Sequence, residues 1–206
     1  IKPLQHKDLP WIILWLFSGV GTIPLTFTAF NNLPIGTTYL LIYVTMITFG
    51  YLSGWILFKE KINSLKIASI VLALIGLSVI YSVNVVAEKL PFFAIALGSG
   101  ALTGVWNTVT KKFSNNYSTL QLVLVDAIVA FIVSLIAFFA MKETLPALTL
   151  TPAWGWVVIY AMAQICTVGL IVYGFKYVEA QIGSVILPLE TFFGAMLGFL
   201  IFGETI

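Results

Sequence analysis

Glu190 stands in the middle of an apolar run that extends from Gln181 to Glu204, within Leu187-Pro188-Leu189-Glu190. At 1.5 Å per residue it lies about 14 Å from Gln181, near the midplane of a hydrocarbon core roughly 30 Å thick. Placing an acidic side chain there costs on the order of 3 kcal/mol, so such a position is a candidate functional site by default. Its carboxyl can bind a cationic or zwitterionic substrate, carry a coupling proton, or bond across helices. Asp126, about 10 Å in from Thr119, is a second acid inside an apolar run and a second candidate proton site. A bond to a neighbouring helix or to interfacial water is the favoured reading for it. Gln164 and Asn107 are mid-run amides whose default use is hydrogen bonding between helices. Trp106, beside Asn107, can pack in the core or wall an aromatic or cationic ligand.

The same inventory excludes much. The one histidine, His6, lies in the polar start, and the one cysteine, Cys166, in an apolar run. Neither a bis-His haem site nor a His/Cys metal cluster can be assembled from them, so no metal and no cofactor is expected. Two acids without a clustered nucleophile make a thin active site, so an enzyme is not expected. All ten basic residues are lysines in short connecting segments, which leaves no basic stripe for nucleic acid.

Positioning mid-membrane side chains takes spans. The chain has 206 residues, 60% of them apolar and 9% charged, with a mean hydropathy of +1.06, far from the usage of soluble domains. Cutting at Pro, Asn and Lys clusters predicts seven helices, over 9–30, 35–58, 65–83, 91–109, 119–141, 154–175 and 181–202. Each is long enough to cross a bilayer, and the runs lack the alternation of barrel strands. Trp11, Trp15, Trp154, Trp156 and Tyr117 lie near span ends and read as interfacial anchors.

Lysines set the orientation. With residues 1–8 on one side, the loops there carry Lys2, Lys7, Lys59, Lys61, Lys66, Lys111, Lys112 and Lys176, against Lys89 and Lys142 on the other. The first side is therefore expected to be cytoplasmic, including the N-terminal end of this chain. The start at Ile1 and an end within residues of a span suggest a fragment of a longer protein.

A repeat organises these spans. Shifting the chain by 144 positions superimposes Phe49, Gly50, Gly54, Phe58, Glu60 and Ile62 on Phe193, Gly194, Gly198, Phe202, Glu204 and Ile206. The two copies cross the membrane in opposite directions, and inverted repeats are the signature of secondary transporters with a midplane site between their halves. Gly50 and Gly54, Gly100 and Gly104, and Gly194 and Gly198 are small-xxx-small pairs expected at helix contacts. Glu190 shares the stripe of Gly194 and Gly198 and is expected to face the bundle. Its counterpart in the first copy is Met46. Glu60 and Glu204, at helix ends, read as structural.

Leu189-Glu190 followed by Gly203-Glu204, Lys59-Glu60 at the end of the first copy, and the helix Ile67 to Leu77 with its Gly76 resemble the EamA-type transporters of the drug/metabolite transporter superfamily. Thr191 replaces that family's proline, and Pro188 lies three positions before it, which shifts the expected helix break. The resemblance implies an all-α polytopic membrane protein of two inverted five-helix repeats, with helices 3 to 9 of ten present here. Residues 1–84 would be the end of the first repeat and 85–206 the start of the second. It also implies a multi-pass protein of a bacterial plasma (inner) membrane that moves a small polar metabolite, such as an amino acid or amine, by alternating access, export being one direction. Glu190 is then the leading substrate or proton residue, with Gln164, Asn107 and Trp106 lining the cavity. Expected partners are the lipid bilayer, a small-molecule substrate, a coupling proton and a second copy in a homodimer. An opsin is excluded, since the last span has no lysine for a Schiff base. A membrane-embedded enzyme or an assembly subunit is the alternative, and the latter leaves the repeat unexplained.

Overall fold

The computed structural model describes residues 5–80, 87–140, 142, 144 and 151–202, and among them every regular element is helical. The α-helices are α1 (Leu9–Asn32), α2 (Ile35–Phe58), α3 (Ser64–Ile80), α4 (Leu90–Ser114), α5 (Thr119–Ala140), α6 (Pro152–Gly174), α7 (Ala180–Ile186) and α8 (Leu189–Phe202). Five of them, α1, α2, α4, α5 and α6, are long and apolar enough to cross a membrane, and α3 is a shorter apolar helix. The protein is an all-α polytopic membrane protein. The end of the predicted third span, 81–83, lies outside the described residues.

Two boundaries differ instructively from expectation. α4 continues five residues past 109, through Lys111 and Lys112, because both ammonium groups find partners at the bundle's end. Lys111 reaches Glu60 at 2.7 Å, and Lys112 lies 3.5 Å over the Trp11 ring. The predicted continuous seventh span is two helices. Pro188 has no N–H to offer the Ser184 carbonyl, and the bonds that follow run from Glu190 N–H to Leu187 O (3.1 Å) and from Thr191 N–H to Pro188 O (3.0 Å). Those tighter i to i+3 bonds leave α7 and α8 as separate rods joined at Leu187-Pro188.

α4 is the central helix, packed chiefly on α2 and α1. Its small residues permit this. A Cβ on Gly100 would strike the Ile42 carbonyl and Thr45 of α2, and one on Gly104 would lie 2.6 Å from Met46 O. Gly50 is in turn covered by Ser184 of α7, and Gly54 by Gln181 and Ala180. Interhelical hydroxyl bonds reinforce the contacts: Thr26 with Ser99 and Ser53 with Thr108, each at 2.6 Å. The expected close packing at Gly194 is not there: a Cβ on it would meet nothing within 4 Å, because α8 diverges from the bundle beyond the break. The side-chain environment of Gly198 lies outside the described residues.

Trp15 and Tyr117 are not interfacial anchors. Trp15 is 1% exposed, stacked on Trp106 with centroids 6.4 Å apart, and its Nε1–H donates to Thr110 Oγ1 at 2.7 Å. The contact of α1 with α4 buries that face of α1 and overrides its nearness to a span end. Tyr117 is also buried, donating its hydroxyl hydrogen to Asp8 Oδ2 at 2.8 Å. Exposed apolar side chains cover the outside of the bundle, among them Leu72 and Val79 of α3, Phe131 and Phe139 of α5, Trp156 and Leu170 of α6 and Leu200 of α8.

Candidate substrate site

α2 carries Tyr39 and Tyr43 at i and i+4, so both rings project from one face. They stack nearly parallel, with centroids 5.6 Å apart and planes 8° apart, and Phe30 of α1 meets Tyr39 edge-on at 5.0 Å. Tyr43 is buried, and its hydroxyl donates a short hydrogen bond to Glu190 Oε1 in the first turn of α8. Tyr39 lies within electrostatic range of Glu190 and of Tyr160 on α6, and Gln164, one turn beyond Tyr160, donates to the Tyr160 hydroxyl at 2.7 Å. Glu190 thus sits beside a helix break with an aromatic wall on one side. Among the described residues no group of three His, Cys, Asp or Glu side chains is assembled to hold a metal.

The carboxylate and the tyrosine rings favour a positively charged group, while the carbonyl end of α7 and the N-terminal turn of α8 meet at the break and act in opposite senses. Gln164 bonds Tyr160, and among the described residues no contact joins it to Glu190 itself. Trp106 and Asn107 lie elsewhere. The next residue, Thr108, bonds Ser53, which is ten residues along α2 from Tyr43 and hence about 15 Å away by helical rise. Asn107 is 1% exposed and, among the described residues, neither end of its amide has a hydrogen-bond partner, while Trp106 belongs to the cluster around Trp15 and Phe113. Asp126 of α5 interacts with the Trp106 indole, although no well-formed hydrogen bond joins them. Met46 is buried against α3 and α7.

Sequence reasoning missed Tyr39, Tyr43 and Tyr160. The 144-residue shift puts Met46 in register with Glu190. The partner of Glu190 is Tyr43, three positions earlier.

At the lysine-rich end, α7 starts against the end of α2. Lys59 adopts a left-handed conformation (φ 53°) that turns the chain back under the helix, and Glu60 is buried there. Its Oε1 accepts from Lys111 Nζ (2.7 Å) and from the Ala180 N–H (2.9 Å), and its Oε2 from the Gln181 N–H (3.1 Å). Burial pushes this carboxyl's pKa up, but the Lys111 ammonium and the two backbone donors outweigh that and hold it below the usual carboxylate range.

Three comparisons bear on this arrangement. A solved structure described as "Crystal structure of protein" superimposes with a TM-score of 0.82 at 15% identity, covering 100% of this chain and 73% of its own, a likeness of fold. No curated protein matches the chain in sequence. The model of the EamA-like transporter family matches residues 91–206, more than half of the chain, and the chain therefore belongs to the EamA-like transporter family.

Proposed function

We propose that the protein is a secondary transporter for a small metabolite bearing an amine, an amino acid or organic amine, and that Glu190 binds its cationic group. The hydrogen bond from Tyr43 to Glu190 carries this reading, because it fixes a carboxylate beside a broken mid-membrane helix and between the two halves of the repeat. The surroundings attract cations, and an ammonium group gains more there than a neutral or anionic one. Alternating access then consists of the two halves parting first on one side of Glu190 and then on the other, with the lysine-rich end cytoplasmic. Glu190 also serves as the proton carrier where substrate and proton compete for one carboxylate.

The test is counterflow in liposomes containing the full-length chain. A labelled amine or amino acid is expected to accumulate against unlabelled substrate, and Glu190→Gln is expected to abolish that uptake along with its pH dependence. Uptake with the same affinity and the same pH profile in Glu190→Gln would remove Glu190 from both roles.

A further inference from the structure

The corner around Glu60 joins parts of the chain that the repeat assigns to different halves. Glu60 ends the second span of the first half, while Lys111, Ala180 and Gln181 belong to the second half. A second clamp lies beside it. Lys66 Nζ donates to Gln181 Oε1 at 2.6 Å and to Lys61 O at 2.9 Å, and pairs with Glu179 at 2.5 Å. Gln181 itself is fully buried, and its Nε2 donates to Tyr51 O at 3.3 Å. Every one of these ties is polar and lies at the end of the bundle, where water can replace it.

Above the clamps the contact between α7 and α2 is made in part of small residues. Ser184 lies over Gly50, and Ala180 and Gln181 lie over Gly54. Val185 adds an apolar contact to the cluster of Met46, Ile47 and Tyr51. α7 is also bounded at its far end by the break at Leu187-Pro188, and beyond that break Gly194 faces open space. A seven-residue rod is thus held at one end by polar ties and articulated at the other. The polar ties of α7 to the end of α2 lie at the lysine-rich end, and beyond the break α8 leaves the bundle.

We infer that Glu60 is the latch of a gate at the lysine-rich end: while its carboxylate holds Lys111 and the start of α7, the Glu190 site is closed to that side, and passage of substrate requires the latch to release. The inference rests on the transport reading for its meaning, but the gate is a property of the fold and can be measured without substrate. Lys111 and Lys66 are positioning residues of the latch, and Glu60 touches no substrate.

The experiment is a distance measurement on the full-length chain in lipid nanodiscs. Spin labels are placed by Ile62→Cys and Tyr177→Cys, two exposed positions that flank the latch, in a Cys166→Ser background. The parent is expected to give one short distance. Glu60→Gln, and separately Lys111→Gln on a different helix, are expected to add a longer population absent from the parent while the protein stays folded. Identical distributions in parent and both variants would overturn the latch. Loss of the folded state in both variants would overturn it too, since a tie that must release in each cycle cannot be a condition of folding. A longer population in the variants, with no amine counterflow in the parent itself, would leave the gate standing and sink the transport reading. Unchanged distances with intact counterflow would do the reverse.

Discussion

Tyr43 and Glu190 are 147 positions apart in the chain and share one hydrogen bond, which ties the lysine-poor half of α2 to the first turn of α8. The bond orients a carboxylate that is otherwise exposed at a helix break. Tyr43 is itself locked, buried at 5% exposure and stacked on Tyr39.

Tyr43→Phe removes that donor and keeps the stacking. A hydrogen bond to a charged group contributes about 1.5–3 kcal/mol, so the half-saturating amine concentration in counterflow is expected to rise about ten- to a hundredfold with little change in maximal rate. Tyr39→Leu, which removes the outer ring of the stack, is expected to weaken large organic cations more than small ones. Equal losses for both sizes would argue against an aromatic wall.

Gly100→Ala and Gly104→Ala place a methyl group against backbone atoms of α2, which cannot turn aside. Each is expected to cost about 1–3 kcal/mol and to lower the melting temperature measured in detergent. Gly76→Ala and Gly194→Ala enter open space and gain helix propensity, so they are expected to be neutral or to stabilise by up to about 1 kcal/mol. A loss at Gly194 comparable to that at Gly100 would mean that α8 is packed in the intact protein.

The acid limit of the latch follows from Glu60. Its folded-state pKa is lowered, so the unfolded chain takes up the proton first as pH falls. The stability it contributes is complete above the ordinary carboxylate pKa of about 4.3 and is lost as pH falls through the folded value. Melting temperature and the distance across the latch are therefore expected to stay flat between pH 8 and about 5 and to change only in stronger acid. Glu60→Gln is expected to remove that acid limb.

Pro188→Ala restores an N–H that can serve the Ser184 carbonyl and continue α7 into α8. The variant is expected to melt higher, by an increment of about 3 kcal/mol or less, and to transport more slowly. Faster transport in a straightened helix would remove the break from the mechanism.

The spans were legible because hydrocarbon requires uninterrupted apolar runs, and one dimension suffices to see them. The recurrence of Gly50, Gly54, Phe58 and Glu60 at Gly194, Gly198, Phe202 and Glu204 is legible because it is a matter of order along the chain. What stayed hidden depends on which face of a helix meets which neighbour. Trp15 reads as an anchor until Thr110 of α4 is found against its indole. Tyr39 and Tyr43 look like any aromatics in an apolar span, and only the position of α8 gives them a carboxylate. Glu60 shows itself in sequence as an acid at a helix end. Its partners lie 51 and about 120 positions away, a distance no local pattern crosses.

The small and polar residues that let α4 sit at the centre also make it the least hydropathic of the five long spans, whereas α5, largely exposed on the outside of the bundle, is the most. A helix of that composition partitions poorly into lipid by itself. During synthesis α1 and α2 emerge first and are the helices on which α4 packs, so they offer Ser99, Gly100, Gly104 and Thr108 a protein surface in place of acyl chains. The order of the chain thus supplies the solvent its central helix needs, and substitutions on α1 and α2 along that surface would be read first as failures of membrane insertion.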